Sequence, residues 1–309
     1  AANLVRNDHA NRFGLITTNS VRQTFNRRVV ERHLRSEAPL VLAWAIPDHP
    51  WVDSADGAAV RVTMTVGGRG KAPGRLLSVV DELPSNDIEV AVRLSERQGL
   101  LSAGLSVGAD VHVANALRSN SRLCWQGVKL VGDGFLVEPI AFERIASLGA
   151  AVVRPYLSNK DMVQRTRSLH VIDFAGMTEA QARTANPAAF QQVVEMVKPL
   201  RDLNREPSRR LRWWLFGRSN EGMRAALVGL SRFICTPEVA KHRPFMFVRD
   251  SIPDASLYVV AVADSMVLGV LGSEVHRLWS LATGGTLEDR PRYHNSRCFD
   301  TFPFPSDDT

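Results

Sequence analysis

From Phe13 to Thr18 the chain is apolar and β-branched, and directly after it Asn19 and Ser20 offer side chains that cap a helix. Val21, Phe25 and Val29 then recur every four residues, while Arg22, Arg27, Arg28 and Arg32 fall elsewhere on the circumference, which predicts an amphipathic helix lying on a sheet. Leu40 to Ile46 is almost wholly apolar, the pattern of a strand covered on both faces, and Ala59 to Val66 alternates. Strand, helix, strand, strand is the rhythm of an α/β sheet. A complete nucleotide-binding sheet carries a glycine-rich strand-to-helix turn near its start. None precedes Phe13, so the N-terminus is expected to cut through a domain.

The stretch Gly67 to Gly74 is rich in turn residues and predicts a connector, because its glycine spacing is wrong for a phosphate cradle. Ser85 to Val107 is polar without a clear period, and Val111, Val113 and Leu117 predict a short helix ending at Asn120. The domain boundary is placed there, giving domains 1–115 and 116–309. Beyond it, Trp125 to Val137 split by Gly132-Asp133-Gly134 predicts a hairpin, and Leu169 to Phe174 a strand. Helices are expected at Glu179 to Thr184 and Pro187 to Lys198. A strand pair is expected at Phe245 to Arg249 and Leu257 to Ala263, turning at Pro253-Asp254. One further helix spans Ser265 to Thr283 and stops at Gly284-Gly285. Its small face of Gly269, Gly272 and Ser273 is suited to a neighbouring helix more than to DNA. Phe299, Phe302 and Phe304 with two prolines form an extended aromatic tail packed on the body.

At 309 residues and 45% hydrophobic content the chain can bury a large core, and two domains are expected. No run of eighteen apolar residues and no secretory leader is present, which points to a cytoplasmic protein without a membrane partner. Cys124, Cys235 and Cys298 are far apart, so reduced, buried thiols are expected. The scattered histidines predict no metal.

Positive charge is concentrated between Arg201 and Asp250. Eleven Arg and Lys residues there face five acids, a surplus of six that equals the net charge of the whole chain. Trp213, Trp214, Phe216, Phe233, Phe245 and Phe247 are interleaved with them. Such a stretch is either a solvated basic face on an ordinary core or a surface for a polyanion, and nucleic acid is the commonest polyanion for a basic chain. Arg209, Arg210, Arg212, Lys241 and Arg243 are the phosphate candidates by charge density, with ion pairing to Asp202, Glu206 or Glu238 as the alternative for each.

Several short motifs in one order then resemble a single family. They are Gly14-Leu15-Ile16-Thr17-Thr18-Asn19-Ser20, Ala59-Val60-Arg61-Val62, Gln126-Gly127 with Gly132-Asp133-Gly134-Phe135, Val153-Arg154-Pro155-Tyr156-Leu157 and Val171-Ile172-Asp173-Phe174. Trp213-Trp214-Leu215-Phe216, Ala240-Lys241-His242-Arg243, Leu268 to Ser273 and Cys298 to Pro305 complete the series. Together they are similar to the adenine-specific DNA methyltransferases of the type IIG or IIL restriction-modification class, the MmeI-like enzymes. The resemblance covers nearly the whole chain. It implies a truncated Rossmann-like α/β methyltransferase sheet followed by a mixed α+β target-recognition domain that binds double-stranded DNA.

The family's glycine-containing motif for S-adenosylmethionine and its Asn-Pro-Pro-aromatic catalytic motif do not occur in this chain. The resemblance therefore implies that the remainder of a methyltransferase polypeptide, with or without a nuclease, is this chain's partner, and that the chain alone is inert and binds no S-adenosylmethionine. Asn186-Pro187-Ala188-Ala189-Phe190 only mimics the catalytic motif, since it lacks the second proline and sits between two helical patterns; a helix cap is expected. Asn19 and Ser20 are either caps or the edge of a pocket for the flipped base. For base reading the resemblance points to Glu288 and Arg290, a pair whose chemistry suits guanine and cytosine edges and whose alternative is a surface ion pair. Two rival readings remain: a free-standing DNA-specificity module serving a separate methylase subunit, and an RNA-binding protein, although no RNA-recognition strand motif occurs.

Overall fold

A computed structural model describes residues 1–22, 24–51, 60–70, 72–83, 91–108, 111, 114–147, 149–287 and 290–305. The fold is mixed α/β and separates into two compact units, Ala1–Ala114 and Asn115–Thr309.

The first unit contains α1 (Ala2–Arg6), β1 (Arg12–Thr18), α2 (Thr24–Leu34), β2 (Leu40–Trp51), β3 (Val60–Arg69), β4 (Gly74–Leu83) and β5 (Ala91–Gly99). They form one sheet in the order β1-β3-β2-β4-β5. β3 is antiparallel to both β1 and β2, so β1 and β2, joined through α2, run parallel. β2 also pairs in parallel with β4, and β4 pairs antiparallel with β5. The core is small: Leu42, Ala45, Leu76, Leu101 and Leu105 are buried against Val21, Val30 and Leu34. Val29, expected on the inner stripe of α2, is 60% exposed. The stretch from Gly67 to Arg69, expected to be connector, is instead the end of β3. Gly74 opens β4 because a side chain there would meet the Leu42 carbonyl at 2.1 Å.

The second unit carries β6 (Cys124–Gln126), β7 (Leu136–Val137), α3 (Pro139–Ala146), β8 (Val153–Leu157), α4 (Asn159–Val163), β9 (His170–Ile172), α5 (Glu179–Ala185), α6 (Pro187–Met196), α7 (Lys198–Asp202), α8 (Pro207–Leu211) and α9 (Glu221–Leu227). It continues with β10 (Phe233–Pro237), β11 (Met246–Val248), β12 (Ile252–Pro253), β13 (Leu257–Val260), α10 (Ser265–Gly272), α11 (Glu274–Thr283), β14 (Gly285–Leu287) and β15 (Arg290–Arg292). One sheet runs β11-β10-β13-β6, a second β12-β8-β9-β7, and β14 with β15 makes a separate hairpin.

Four expectations for this unit are corrected. The segments around Gly132-Asp133-Gly134 are not a hairpin, because β6 pairs with β13 and β7 with β9, in different sheets. β11 and β13 do not pair with each other; the fully buried β10 lies between them and pairs with both. The helix expected over Ser265–Thr283 is two helices, because the Ser273 hydroxyl accepts from His276 N at 3.2 Å and caps a new start. The neighbouring helix expected against Gly269 and Gly272 is not seen among the described residues, since a side chain at either would meet open space.

Packing falls into two clusters. One joins Phe135, Phe174, Phe190, Trp213 and Phe216 to the β8–β9 sheet, and the other gathers Ile234, Tyr258, Leu271, Tyr293 and Phe299. The closing aromatic tail packs as expected, with Phe302 3% exposed, but it is preceded by a π-helical turn at Asn295–Phe299. Buried Asn120 fastens it, donating to the carbonyls of Phe299 at 3.0 Å and Phe302 at 2.8 Å. Asn186 is fully buried, caps α6 through Ala189 N and donates to the carbonyls of Ile145 and Gly149, which gives the Asn-Pro-Ala-Ala-Phe segment the expected architectural role. The three cysteines are buried.

Candidate nucleic-acid interface

The cations between Arg201 and Asp250 divide by what their donors already hold. Arg201, 1% exposed, donates to the carbonyls of Leu130 at 2.8 Å and Leu215 at 3.2 Å, and its burial, helped by nearby Arg209, lowers its pKa. Arg224 forms a two-bond ion pair with Asp173 at 2.8 and 3.1 Å. Arg232 lies 3.7 Å over the Phe247 ring and donates to Ala263 O and Ser265 Oγ. Arg218 donates to Gln126 Oε1 at 2.8 Å. The aromatics of the stretch are also interior: Trp213 sits between Phe190 and Trp214, whose indole donates to Met177 O at 3.0 Å.

A second set faces water. Arg205, Arg212, Lys241 and Arg249 are exposed, and their side chains make no hydrogen bond or ion pair among the described residues. Arg210 is exposed and donates to Asn204 O at 2.6 Å. Arg209 pairs with Glu206 at 2.8 Å on the same turn, an ion pair on the solvent side of α8. Beside them Leu203 and Leu211 are 84% and 76% exposed.

Arg243 belongs with the engaged group. Its Nη1 donates to Pro237 O, its Nη2 to Pro291 O at 3.0 Å and Glu238 O at 3.4 Å, and its guanidinium lies 5.0 Å from the centre of the Tyr293 ring. Burial lowers its pKa. The ring belongs to a buried pair in which Tyr293 OH meets His276 Nε2 at 3.0 Å. Burial first, and then Arg243, push His276 down to about 4, so it stays neutral near pH 7.

The segment from Pro237 to Arg243 also carries the β14–β15 hairpin. Tyr293 N donates to Glu238 O at 2.7 Å and Ala240 N to Pro291 O at 3.3 Å. The Glu238 carboxylate accepts from Arg292 Nε and Nη2 at 2.9 and 2.7 Å. Arg290 opens β15 and is exposed. Glu288 lies outside the described residues. Glu238 was foreseen as an ion-pair partner, but its pairing with Arg292 and the clamping role of Arg243 were not legible in the sequence, since charge density alone does not tell a carbonyl-bound guanidinium from a free one.

In the first unit Asn19 and Ser20 sit in a 3-10 turn directly after β1. Asn19 donates to Asp48 and accepts from Thr63 Oγ1 at 2.8 Å, and Ser20 Oγ lies 2.5 Å from Thr18 Oγ1. Both side chains thus fasten the turn to its surroundings. A cavity in this unit, about 220 Å³, is lined by Phe13, Leu15, Val21, Val30, Leu34 and Leu42 among others, and not by Asn19 or Ser20. Its polar side chains are His33 and Thr65. Among the described residues no group of His, Cys, Asp or Glu is placed to hold a metal, and no helix is long and apolar enough to cross a membrane.

In fold, the chain is similar to a type IIL restriction-modification enzyme. The match is to MmeI, solved in complex with DNA, with a TM-score of 0.73 and 19% identity over 99% of this chain. This chain covers 40% of that one. A second structure, the type IIG restriction endonuclease BpuSI, aligns at a TM-score of 0.32 and 11% identity over 94% of this chain and 39% of its own, too low to carry an argument. A search of curated proteins gives no match. The family described as MmeI, target recognition domain, matches residues 146–306, more than half of the sequence, and the chain belongs to that family. The matched range includes the arginine-rich stretch, the Pro237–Arg243 segment and the β14–β15 hairpin.

Proposed function

We propose that the chain reads the base sequence of double-stranded DNA as the target-recognition part of an adenine-specific, S-adenosylmethionine-dependent methyltransferase in a restriction-modification or phage-defence system. The family match over residues 146–306 carries this reading. Two separable jobs are assigned. Arg212, Lys241 and Arg210 hold phosphates, being exposed and little engaged elsewhere, while Arg209 is held by Glu206 and Arg243 by carbonyls. Glu288 and Arg290 read base edges, Arg290 from the start of β15, since Arg can grip guanine bidentately and Glu can accept from the cytosine amine.

The first unit is read as the distal part of the methyltransferase sheet. What supports this is the β1-α2-β2 crossover between parallel strands, with β3 returning antiparallel between them. Its cavity does not fit S-adenosylmethionine, because the apolar lining offers no carboxylate for the ribose hydroxyls and no glycine turn for close approach. No chemical step is therefore assigned to this chain, which by itself is proposed to be inert. Asn19 and Ser20 keep the place of a target-base pocket edge only as neighbours of that sheet's carboxyl end.

A gel-shift titration tests the reading. The chain is expected to bind duplex DNA with log affinity falling linearly in log salt, by about 0.9 per phosphate contact. A flat salt response, or equal preference for a single-stranded RNA competitor, contradicts it. Calorimetry with S-adenosylmethionine is expected to show no saturable binding to this chain.

A further inference from the structure

We propose that Arg243 is a positioning residue for base reading, a staple that fixes the β14–β15 hairpin against the end of β10 so that Arg290 meets its base in one geometry. The inference rests on the reading of the hairpin given above. It starts from the size of the element: three residues on each strand, β14 and β15 pair with each other and not with either larger sheet. An isolated two-stranded hairpin is marginally stable at best, so its orientation must be imposed by what it leans on.

The surroundings provide that imposition at one seam. Tyr293 N to Glu238 O at 2.7 Å and Ala240 N to Pro291 O at 3.3 Å join the backbones, and the Val239–Arg292 bridge lies between them. Arg243 spans the same seam with its side chain. Its guanidinium reaches Pro237 and Glu238 carbonyls on one side and the Pro291 carbonyl on the other, adjacent in sequence to Arg290. Tyr293 lies beneath it, fully buried, with Phe245 and Tyr258 packed edge-on to that ring. A planar fork with five donors suits three carbonyls in two directions; a lysine ammonium has the charge without the fork. Bidentate base contacts tolerate only about 0.5 Å and 10–20° of error, so loosening the seam costs discrimination before it costs attraction to the duplex.

The alternatives give different signatures. A phosphate-contacting Arg243 would weaken binding to all sequences and flatten the salt dependence by about 0.9 in slope. A residue that only stabilises the fold would lower the melting temperature and leave the preferred sequence intact.

The experiment uses the chain with Arg243→Lys, Arg243→Met or Arg290→Ala, each challenged with a randomised duplex library that is sequenced after binding. Salt titration on one fixed duplex and a thermal melt accompany it. For Arg243→Lys the expected result is an unchanged salt slope and a roughly tenfold loss of preference, confined to the motif position that Arg290→Ala also degrades. Arg243→Met is expected to do the same with a lower melting temperature, and if it does not fold the lysine variant decides. An intact preference in folded Arg243→Lys, while Arg290→Ala degrades one position, overturns the staple alone. A motif untouched by Arg290→Ala, or no motif at all, overturns the reading of the hairpin and the staple with it.

Discussion

The turn and helix between Arg205 and Arg212 and the segment between Pro237 and Arg243 look alike in sequence, both basic and both close to aromatics, yet their cations do opposite things. In the first, Arg205 and Arg212 face solvent without partners among the described residues, and Arg209 is paired on the surface. In the second, Arg243 is wrapped around three carbonyls and a tyrosine ring, and Lys241 alone is exposed without a partner among the described residues. The difference lies in the backbone nearby. The carbonyls of Pro237, Glu238 and Pro291 meet at this seam, and since a carbonyl oxygen has two lone pairs, a fork of donors can add to the backbone hydrogen bonds that Glu238 O and Pro291 O already accept. Arg205 and Arg212, which flank α8, meet no such seam and keep their guanidinium groups available to a polyanion, while Arg209 holds Glu206 and Arg210 the Asn204 carbonyl. Charge density selects a stretch; the partners of each guanidinium decide its role.

The largest effect is expected at an engaged arginine. Replacing Asp173 by Asn leaves Arg224 half-buried without its ion-pair partner, and truncating one member of such a pair is expected to cost about 3 kcal/mol or more, read from urea unfolding. A loss below about 1 kcal/mol would put Arg224 in the exposed class.

The ring cluster beneath Arg243 makes a pH prediction. His276 has a folded pKa of about 4 against 6.5 in the free side chain, so the unfolded chain takes up the proton first. Stability from this group is full above about pH 6.5 and is lost as pH falls toward 4, by up to about 3 kcal/mol. Asp300, raised to about 6 by burial, acts in the opposite direction, so the readout is the difference between the wild-type chain and His276→Gln. His276→Gln should unfold with a shallower acid dependence. Identical slopes would contradict the buried, neutral histidine.

Outside both regions Asn186→Ala removes a buried cap and two further donors, and about 2 kcal/mol of stability is expected to go with it. The smallest stability effect belongs to the exposed set. Arg212→Ala and Lys241→Ala should each change unfolding by no more than about 0.5 kcal/mol while lowering the salt slope of duplex binding by about 0.9. A variant that leaves the slope unchanged removes its residue from the phosphate set.

Much of the framework was legible because its period is local. β1, the start of β2 and β3 stand out as apolar or alternating runs, α5 through its helical pattern, and α6 through Asn186 and Pro187. β4 and β5 did not stand out, because β5 is largely exposed on both faces, with Arg93 and Arg97 on one and Glu96 and Gln98 on the other, so no apolar alternation marks it. The pairing errors have a different cause. β6 finds β13 and β7 finds β9 across long stretches of chain, and local turn residues at Gly132-Asp133-Gly134 say nothing about such partners. The site was legible as a stretch and opaque as a geometry, since nothing in the spacing of Glu238, Arg243, Pro291 and Arg292 shows that they meet.

The most direct test of the account is a swap at the hairpin. Glu288→Lys with Arg290→Asp, placed in the chain and put through selection from the randomised duplex library, is expected to change the preferred base at one motif position by roughly one to two orders of magnitude. The remaining positions and the salt slope should stay as in wild type. A well-folded double variant that selects the unaltered motif would contradict base reading from this hairpin.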